Sequence, residues 1–291
     1  MKETLSRKVF VACNTIFMIL LCIVTLYPIW YVVVASLSDP VSLMAHTGIL
    51  YKPLGFSLEA YSRAMEHPLI MSGYANTLFI LVVGVVISLV LTAVGAFFLT
   101  RSNVMLKRPI SLMILFTMFF NGGMIPFYFA VKDVGLYNST WSLIIPTAIS
   151  TFNLMVMKAG FEALPASLEE SAKIDGAGHL TVLFRIVIPL ALPTVAVMIL
   201  YYGVGYWNAW FYASIFLQDD AKWPLQLVAR QILIVNDSGG VTAGVDSGAQ
   251  LAISETIKYA VIVITSLPII VLYPFLQKYF VKGVMIGAVK G

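Results

Sequence analysis

The sequence predicts an all-α, polytopic membrane protein with six transmembrane helices. Of its 291 residues, 60% are hydrophobic and only 11% are charged, whereas a soluble domain of this size carries about 25% charged residues. The hydrophobic residues fall in runs that are long enough to cross a bilayer. Because backbone polar groups must pair internally in lipid, each run is expected to be helical.

Six stretches have the length and apolarity of a membrane span. An apolar run of about 17–25 residues crosses a bilayer, and a longer run crosses it at a tilt. The predicted spans are residues 9–37, 74–99, 110–131, 140–160, 186–216 and 256–281. Prolines and a pair of glycines interrupt several of them, and such breaks need neighbouring helices to satisfy the freed backbone groups. We predict one transmembrane domain over residues 1–291.

The basic residues predict how the chain is oriented. Two-thirds of the 18 Lys and Arg residues fall on the side that holds both termini, the short loop Arg101–Arg108 and the loop 161–185. The positive-inside rule therefore places both termini and these loops in the cytoplasm. The long segments 38–73 and 217–255 then face outward. They either meet a partner protein or are solvated connections, and the sequence leaves both open.

The loop 161–185 differs from the spans around it, because it is predicted to hold a short surface helix. Ser167 stands three residues before Glu170, which is the spacing of a capping box, and this predicts a helix that starts at residue 168. Asp175 and Gly176 are predicted to end the helix, since glycine adopts a left-handed turn without steric cost.

The same loop carries a spaced pattern of residues. Its members are Glu170, Ala172, Gly176, Ile186 and Pro189. This pattern resembles that of permease subunits of ATP-binding-cassette importers in the carbohydrate, maltose-type branch. The family pattern is Glu-Ala-Ala, three residues, Gly, nine residues, Ile-x-Leu-Pro, from which Ser171 and Ile188 depart. The resemblance extends across all six spans, and residues 223–227 resemble a subgroup that handles complex or uronate-containing oligosaccharides.

The resemblance implies that the chain is half of a saccharide translocation pathway and is not itself an enzyme. The loop helix would be a cytoplasmic coupling helix that docks on a separate ATPase. The residues implied in coupling are Glu169, Glu170, Ala172, Asp175, Gly176, Ala177 and Lys290.

The resemblance also implies the partners and the location of the chain. The partners would be a homologous permease subunit in a heterodimer, two ATPase subunits that carry ATP and Mg²⁺, an extracytoplasmic solute-binding protein and an oligosaccharide. This chain would hold no cofactor or metal of its own. It would lie in the bacterial inner (plasma) membrane and pass through it several times.

Polar and aromatic side chains inside the spans are candidates for the solute path. Sugars stack on aromatic rings, and their hydroxyls bond with Asn and Tyr side chains. The predicted pathway residues are Asn76, Asn121, Asn153, Tyr202, Tyr206 and Asn208. For each of them, helix packing or an aromatic belt at the membrane interface remains the alternative explanation.

Several function classes are disfavoured by what the sequence lacks. There is no Gly-Lys dipeptide, so no Walker A loop can cradle ATP phosphates. The three histidines lie outside the spans, and no metal or nucleophile cluster is evident. Basic residues form no stripe that would bind nucleic acid. A secondary, ion-coupled transporter or a channel subunit is the alternative, but the spans lack the midplane charges that such carriers use.

Overall fold

The computed structural model describes residues 4–101, 104–239 and 248–288. Within these ranges the chain is helical and forms no β-strand, apart from a single antiparallel bridge between Ser38 and Phe56. The predicted all-α class is therefore confirmed.

The helices differ widely in length, from one turn to more than ten turns. In chain order they are α1 (Leu5–Ser36), α2 (Pro40–Met44), α3 (Glu59–Glu66), α4 (Pro68–Thr100), α5 (Lys107–Phe119), α6 (Met124–Asp133), α7 (Trp141–Ile144), α8 (Thr151–Glu162), α9 (Ala166–Ile174), α10 (His179–Val182), α11 (Ile188–Leu190), α12 (Leu192–Trp207), α13 (Phe211–Phe216), α14 (Leu225–Gly239) and α15 (Gly248–Ala288). A π-helical turn, Leu183–Val187, joins α10 to α11, and a 3₁₀ turn, Asp220–Lys222, precedes α14.

Three of the described helices are long and apolar enough to cross a membrane: α1, α4 and the part of α15 from Ala252 to Leu272. The number rises to five if two bent helix pairs each count as one span. The α5–α6 pair bends by 116°, and the helical stretch His179–Leu190 meets α12 at 87°. These five regions agree with five of the predicted spans and confirm a multi-pass membrane protein. The count of six stays a prediction.

The predicted fourth span, residues 140–160, is not one continuous helix. It forms α7, which has four residues, and α8, which begins only at Thr151. Pro146 lies in the break and cannot donate a backbone hydrogen bond. Ser150 then caps α8, because its hydroxyl accepts a bond from the Asn153 N–H at 3.4 Å. The apolar composition predicted that this segment lies in the membrane, but it did not predict that the helix is interrupted at Pro146.

The chain divides into two compact units. The first comprises Met1–Ile70 and Ala229–Leu267. In it, the segment after α1 folds back on the end of that helix, and Trp30 donates a hydrogen bond from its indole to the Tyr51 carbonyl at 3.1 Å. Earlier turns of α1 expose their apolar side chains, as expected of a helix that faces lipid or another membrane helix.

The second unit comprises Met71–Val228 and Pro268–Gly291 and holds the larger described core. In this core α4 packs closely on α12. A Cβ atom at Gly84 would lie 2.7 Å from the ring of Tyr206, so only glycine permits this approach. Both regions considered below belong to this unit.

Candidate functional site: a loop helix and an aromatic pocket

The start of α9 differs from the prediction. The helix begins at Ala166, directly after Pro165, and no side chain caps it. Ser167 therefore lies inside the helix, and the predicted capping box is wrong. The physical reason is that Pro165, with φ −61° and ψ 127°, itself occupies the extended N-cap position.

The end of α9 agrees with the prediction. Gly176 has a φ of +80°, in the left-handed region that favours glycine. Its N–H donates to the Lys173 carbonyl at 3.0 Å, and the N–H of Ala177 donates to the Ala172 carbonyl at 2.9 Å. These two bonds form a Schellman motif, which turns the chain sharply at the helix end. Asp175 is the C-cap residue.

One face of α9 is occupied by the chain's own residues. Ala172 is buried, with 8% of its surface exposed, and joins the hydrophobic core. Glu169 forms an ion pair with Arg101, which directly follows α4, and a second one with Lys173 at 2.9 Å. This inward face therefore fixes the helix to the body of the unit.

The guanidinium of Arg101 is held in place from several directions. It lies 4.0 Å from the centroid of the Phe97 ring, and its Nε donates to the Phe97 carbonyl at 3.2 Å. Its Nη2 donates to the Thr100 hydroxyl at 3.0 Å. Burial lowers the pKa of Arg101 from its ordinary value. The ion pair with Glu169 is thus presented by a side chain with little freedom to move.

The opposite face of α9 is open. Glu170 is exposed, and within the described part of the chain no ion pair involves its carboxylate. Ile174, one turn further on, has 85% of its surface exposed. Asp175 and Gly176 are also exposed, and Ala177 is half-buried. Lys290, the remaining residue predicted to act in coupling, lies outside the described residues.

A cavity of about 520 Å³ lies between α12 and the short helices α7, α8 and α13. It brings together four of the six predicted pathway residues. Its lining is Leu143, Thr147, Ser150, Phe152, Asn153, Tyr201, Tyr202, Gly205, Tyr206, Asn208, Ala209, Phe211 and Tyr212. We call it the aromatic pocket. No Asp, Glu, Lys or Arg is among these lining residues, so the pocket is uncharged, and its surface is mostly apolar with a few polar groups.

The two buried tyrosines of the aromatic pocket use their hydroxyls to hold the protein together. The Tyr202 hydroxyl lies 2.7 Å from that of Thr92 and accepts a hydrogen bond from the Ser150 N–H at 3.1 Å. The Tyr206 hydroxyl lies 2.9 Å from that of Ser88. Their rings therefore line the cavity while their polar ends fix α12 to α4.

The two asparagines of the pocket are freer. Asn153 has only 6% of its surface exposed, and no hydrogen bond of its side-chain amide is found within the described residues. Asn208 donates a hydrogen bond from Nδ2 to the Val204 carbonyl at 3.0 Å. No donor to its amide oxygen is found in the described part of the chain. Because Asn153 also lines the pocket, its amide is open to a hydrogen bond from inside the cavity.

Asn76 and Asn121 lie elsewhere. Asn76 donates from Nδ2 to the carbonyls of Ala221 and Trp223, at 2.8 and 3.0 Å, and so ties α4 to the segment before α14. Asn121 is exposed in the bend between α5 and α6, where its Oδ1 accepts from the Gly123 N–H at 2.9 Å. Neither lines the aromatic pocket, and both are engaged in local structure.

Sequence reasoning missed the two hydroxyl residues on α4 that support the pocket, Ser88 and Thr92. Together with Gly84 they stand four residues apart, which places the three on one helix face. Tyr202 and Tyr206 have the same spacing on the facing helix, α12. Small and hydroxylated residues at that spacing in an apolar helix are a signal of close packing, and this signal was available in the sequence.

Bent membrane helices around an uncharged, aromatic-lined cavity fit a subunit that passes a solute through a membrane. Residues 103–286 match the family described as "Binding-protein-dependent transport system inner membrane component". The chain belongs to this family of permease subunits.

Two relatives match the chain over nearly its whole length, and one of them is named as a transport permease. The chain is 40% identical over 276 residues to the polygalacturonan/rhamnogalacturonan transport system permease protein YtcP of Bacillus subtilis (strain 168), which covers 94% of this chain and 96% of that protein. It is also 40% identical over 293 residues to protein LplC of the same organism, with 100% and 98% coverage.

A solved structure has the same fold. It is a crystal structure of a bacterial ABC transporter involved in the import of the acidic polysaccharide alginate. The match has a TM-score of 0.87 and 33% identity, and it covers 96% of this chain and 99% of that one. The protein is thus a permease subunit of an ABC importer, and ATP hydrolysis belongs to a separate subunit. This excludes the alternative of an ion-coupled carrier or channel.

Proposed function

We propose that this chain forms half of the pathway by which a saccharide, delivered by an extracytoplasmic solute-binding protein, crosses the membrane, and that α9 couples it to the ATPase. The observation that carries the proposal is the two-faced character of α9. Its inward face is fixed to the chain's own core through Ala172 and Glu169. Its outward face exposes Glu170 and Ile174, and no ion pair of the Glu170 carboxylate is found among the described residues.

The outward face has the features of a docking surface for a protein. An exposed carboxylate can pair with a basic residue, and an exposed isoleucine next to it can fill an apolar cleft. The Schellman turn at Gly176 presents both side chains on a short, rigid element. Asp175 and Ala177 shape the same turn, and Lys290 is proposed to reach the ATPase as well.

The substrate class follows from the relatives and from the chemistry of the pocket. YtcP is named for polygalacturonan and rhamnogalacturonan, and the structural neighbour imports alginate. We therefore assign an oligosaccharide that contains uronate residues. In the aromatic pocket the rings of Tyr202 and Tyr206 offer stacking faces for sugar rings, and the amides of Asn153 and Asn208 offer hydrogen bonds to hydroxyls.

The proposed assembly contains this chain, a homologous permease in a heterodimer, two ATPase subunits and the solute-binding protein. Both termini and α9 would lie in the cytoplasm, and the six spans would lie in the bacterial cell membrane. ATP and Mg²⁺ would bind the ATPase subunits. Residues of this chain transmit the movement and line the path.

The test is charge reversal at the outward face. Glu170→Lys should prevent the ATPase from copurifying with the permease and should abolish oligogalacturonate uptake, because it places like charge against the docking cleft. Asp133→Lys is the matched control, since Asp133 is an exposed carboxylate at the end of α6. Copurification and uptake at the wild-type level in a membrane-inserted Glu170→Lys variant would refute the proposal.

A further inference from the structure

We propose that Arg101 is a positioning residue that carries the movement of α9 into α4 and from there to the aromatic pocket. This inference rests on the proposed coupling function of α9. It concerns a different question, namely which internal contact passes the movement on after docking.

The first step is the joint between α9 and α4. The ion pair of Glu169 with Arg101 has 19% and 17% side-chain exposure. Ion pairs at the surface contribute little to stability. A pair at this depth is costly to break, because removing one member leaves the other charge without a partner. Arg101 is also the residue that directly follows the last turn of α4. A displacement of α9 therefore acts on the end of α4.

The second step is the stiffness of the Arg101 side chain. Contacts with the Phe97 ring, the Phe97 carbonyl and the Thr100 hydroxyl fix the guanidinium to the last turn of the helix. A planar guanidinium with several donors holds such an arrangement, and a lysine ammonium does not. The joint is consequently a rigid one.

The third step is the path along α4. Thr92 lies nine residues before Arg101, a distance of about 14 Å at 1.5 Å per residue. Its hydroxyl bonds Tyr202, and the hydroxyl of Ser88, one turn further, bonds Tyr206. Both tyrosine rings line the aromatic pocket. A shift of α4 along its axis therefore moves both tyrosine rings of the pocket together.

The experiment follows the pocket rather than uptake, so that it does not depend on the identity of the saccharide. Cys13 and Cys22 are the two cysteines of the chain. Both are replaced by serine, and Ala209→Cys then provides one reporter in the pocket. The rate of maleimide labelling is measured in the purified complex, with and without a non-hydrolysable ATP analogue and Mg²⁺.

In the reporter protein with the Arg101–Glu169 pair intact, the nucleotide analogue should change the labelling rate about tenfold. Arg101→Ala and Glu169→Ala should reduce this change to less than about twofold, a loss of about 1 kcal/mol of coupling, because the movement of α9 no longer reaches α4. The swap Arg101→Glu with Glu169→Arg should restore most of the response, and Arg101→Lys should restore only a part. The control swap, Lys158→Glu with Glu162→Lys, alters a pair within α8 at 3.0 Å and should leave the response unchanged.

The outcomes separate this inference from the proposed function. A full response in Arg101→Ala, with the ATPase still bound, would overturn the role of Arg101 and leave docking by α9 intact. Loss of the ATPase from the Arg101→Ala variant would contradict the inference, because Arg101 would then be needed for docking itself and not for the transmission that follows it. The absence of any response in the intact reporter protein would overturn both proposals.

Discussion

The loop helix α9 and the two pocket tyrosines share one feature. In each, one side forms bonds within the chain and the other side is open. On α9, Glu169 pairs with Arg101 and Glu170 is exposed. On α12, the hydroxyls of Tyr202 and Tyr206 bond to residues of the same unit and their rings line the aromatic pocket. In the loop helix the two sides are formed by adjacent residues of one helix, whereas in the pocket they depend on contacts between several helices. The comparison suggests that the loop is sensitive to backbone conformation and the pocket to packing.

The largest effect is expected at the turn that ends α9. Gly176→Val should lower oligogalacturonate uptake by more than tenfold, since a left-handed conformation costs a residue with a Cβ about 1–2 kcal/mol, and a β-branched residue more. A Cβ atom there would meet nothing within 4 Å, so the effect would be conformational and not steric. Gly178→Val is the matched control, because Gly178 has equal space and a φ of −71°. Equal uptake by both variants would show that the turn is not needed.

The next effect tests packing. Gly84→Val should lower uptake by about tenfold, because overpacking a close helix contact costs about 1–3 kcal/mol. The new side chain would displace the Tyr206 ring, which lies within 3 Å of the position of a Cβ atom. The comparison variant is Gly203→Val, whose Cβ meets nothing within 4 Å. If the Gly84 variant transports as well as the Gly203 variant, the pocket does not depend on this contact.

A smaller effect is expected from removal of one hydroxyl. Tyr202→Phe should destabilise the protein by about 1–3 kcal/mol, because it leaves the Ser150 N–H and the Thr92 hydroxyl without their partner. The melting temperature of the purified complex in detergent measures this. Tyr201→Phe serves as the reference, since Tyr201 lines the same pocket and is 36% exposed. Equal melting temperatures would contradict the supporting role given to the Tyr202 hydroxyl.

The smallest effect sharpens the distinction between binding the protein and binding a guest. Asn153→Ala should raise the KM for oligogalacturonate by about two- to tenfold, the worth of one neutral hydrogen bond. The melting temperature should hardly change, because the amide has no protein partner in the described residues. Asn76→Ala should do the reverse, since its amide bonds two backbone carbonyls. An unchanged KM in Asn153→Ala would remove this residue from the proposed path.

Much of the fold could be predicted from composition and local pattern. The lengths of apolar runs predicted α1, α4 and the membrane part of α15, and Gly176 was identified as the end of α9. The predicted start of that helix was wrong, because the capping pattern of Ser167 and Glu170 competes with a proline two residues before Ser167. Local signals are reliable where a single residue type satisfies a backbone requirement and fail where two signals overlap.

The pathway residues show the same limit. Asn76 and Asn153 both are asparagines in or beside apolar runs, and nothing in their neighbours along the chain separates them. In the structure, Asn76 donates hydrogen bonds to two backbone carbonyls before α14, whereas Asn153 lines the aromatic pocket. The burial of these side chains and the partners they contact depend on residues that lie far away along the chain, and a linear pattern does not contain that information.

The sequence by itself determined that this protein is a helical membrane protein and where its loop helix ends, because apolar length and glycine conformation are properties of consecutive residues. Only the tertiary structure decided which carboxylate of α9 binds Arg101 and which tyrosine atoms face the pocket. Those choices arise from contacts between helices, where the position of each side chain is set by packing against residues far away in the chain.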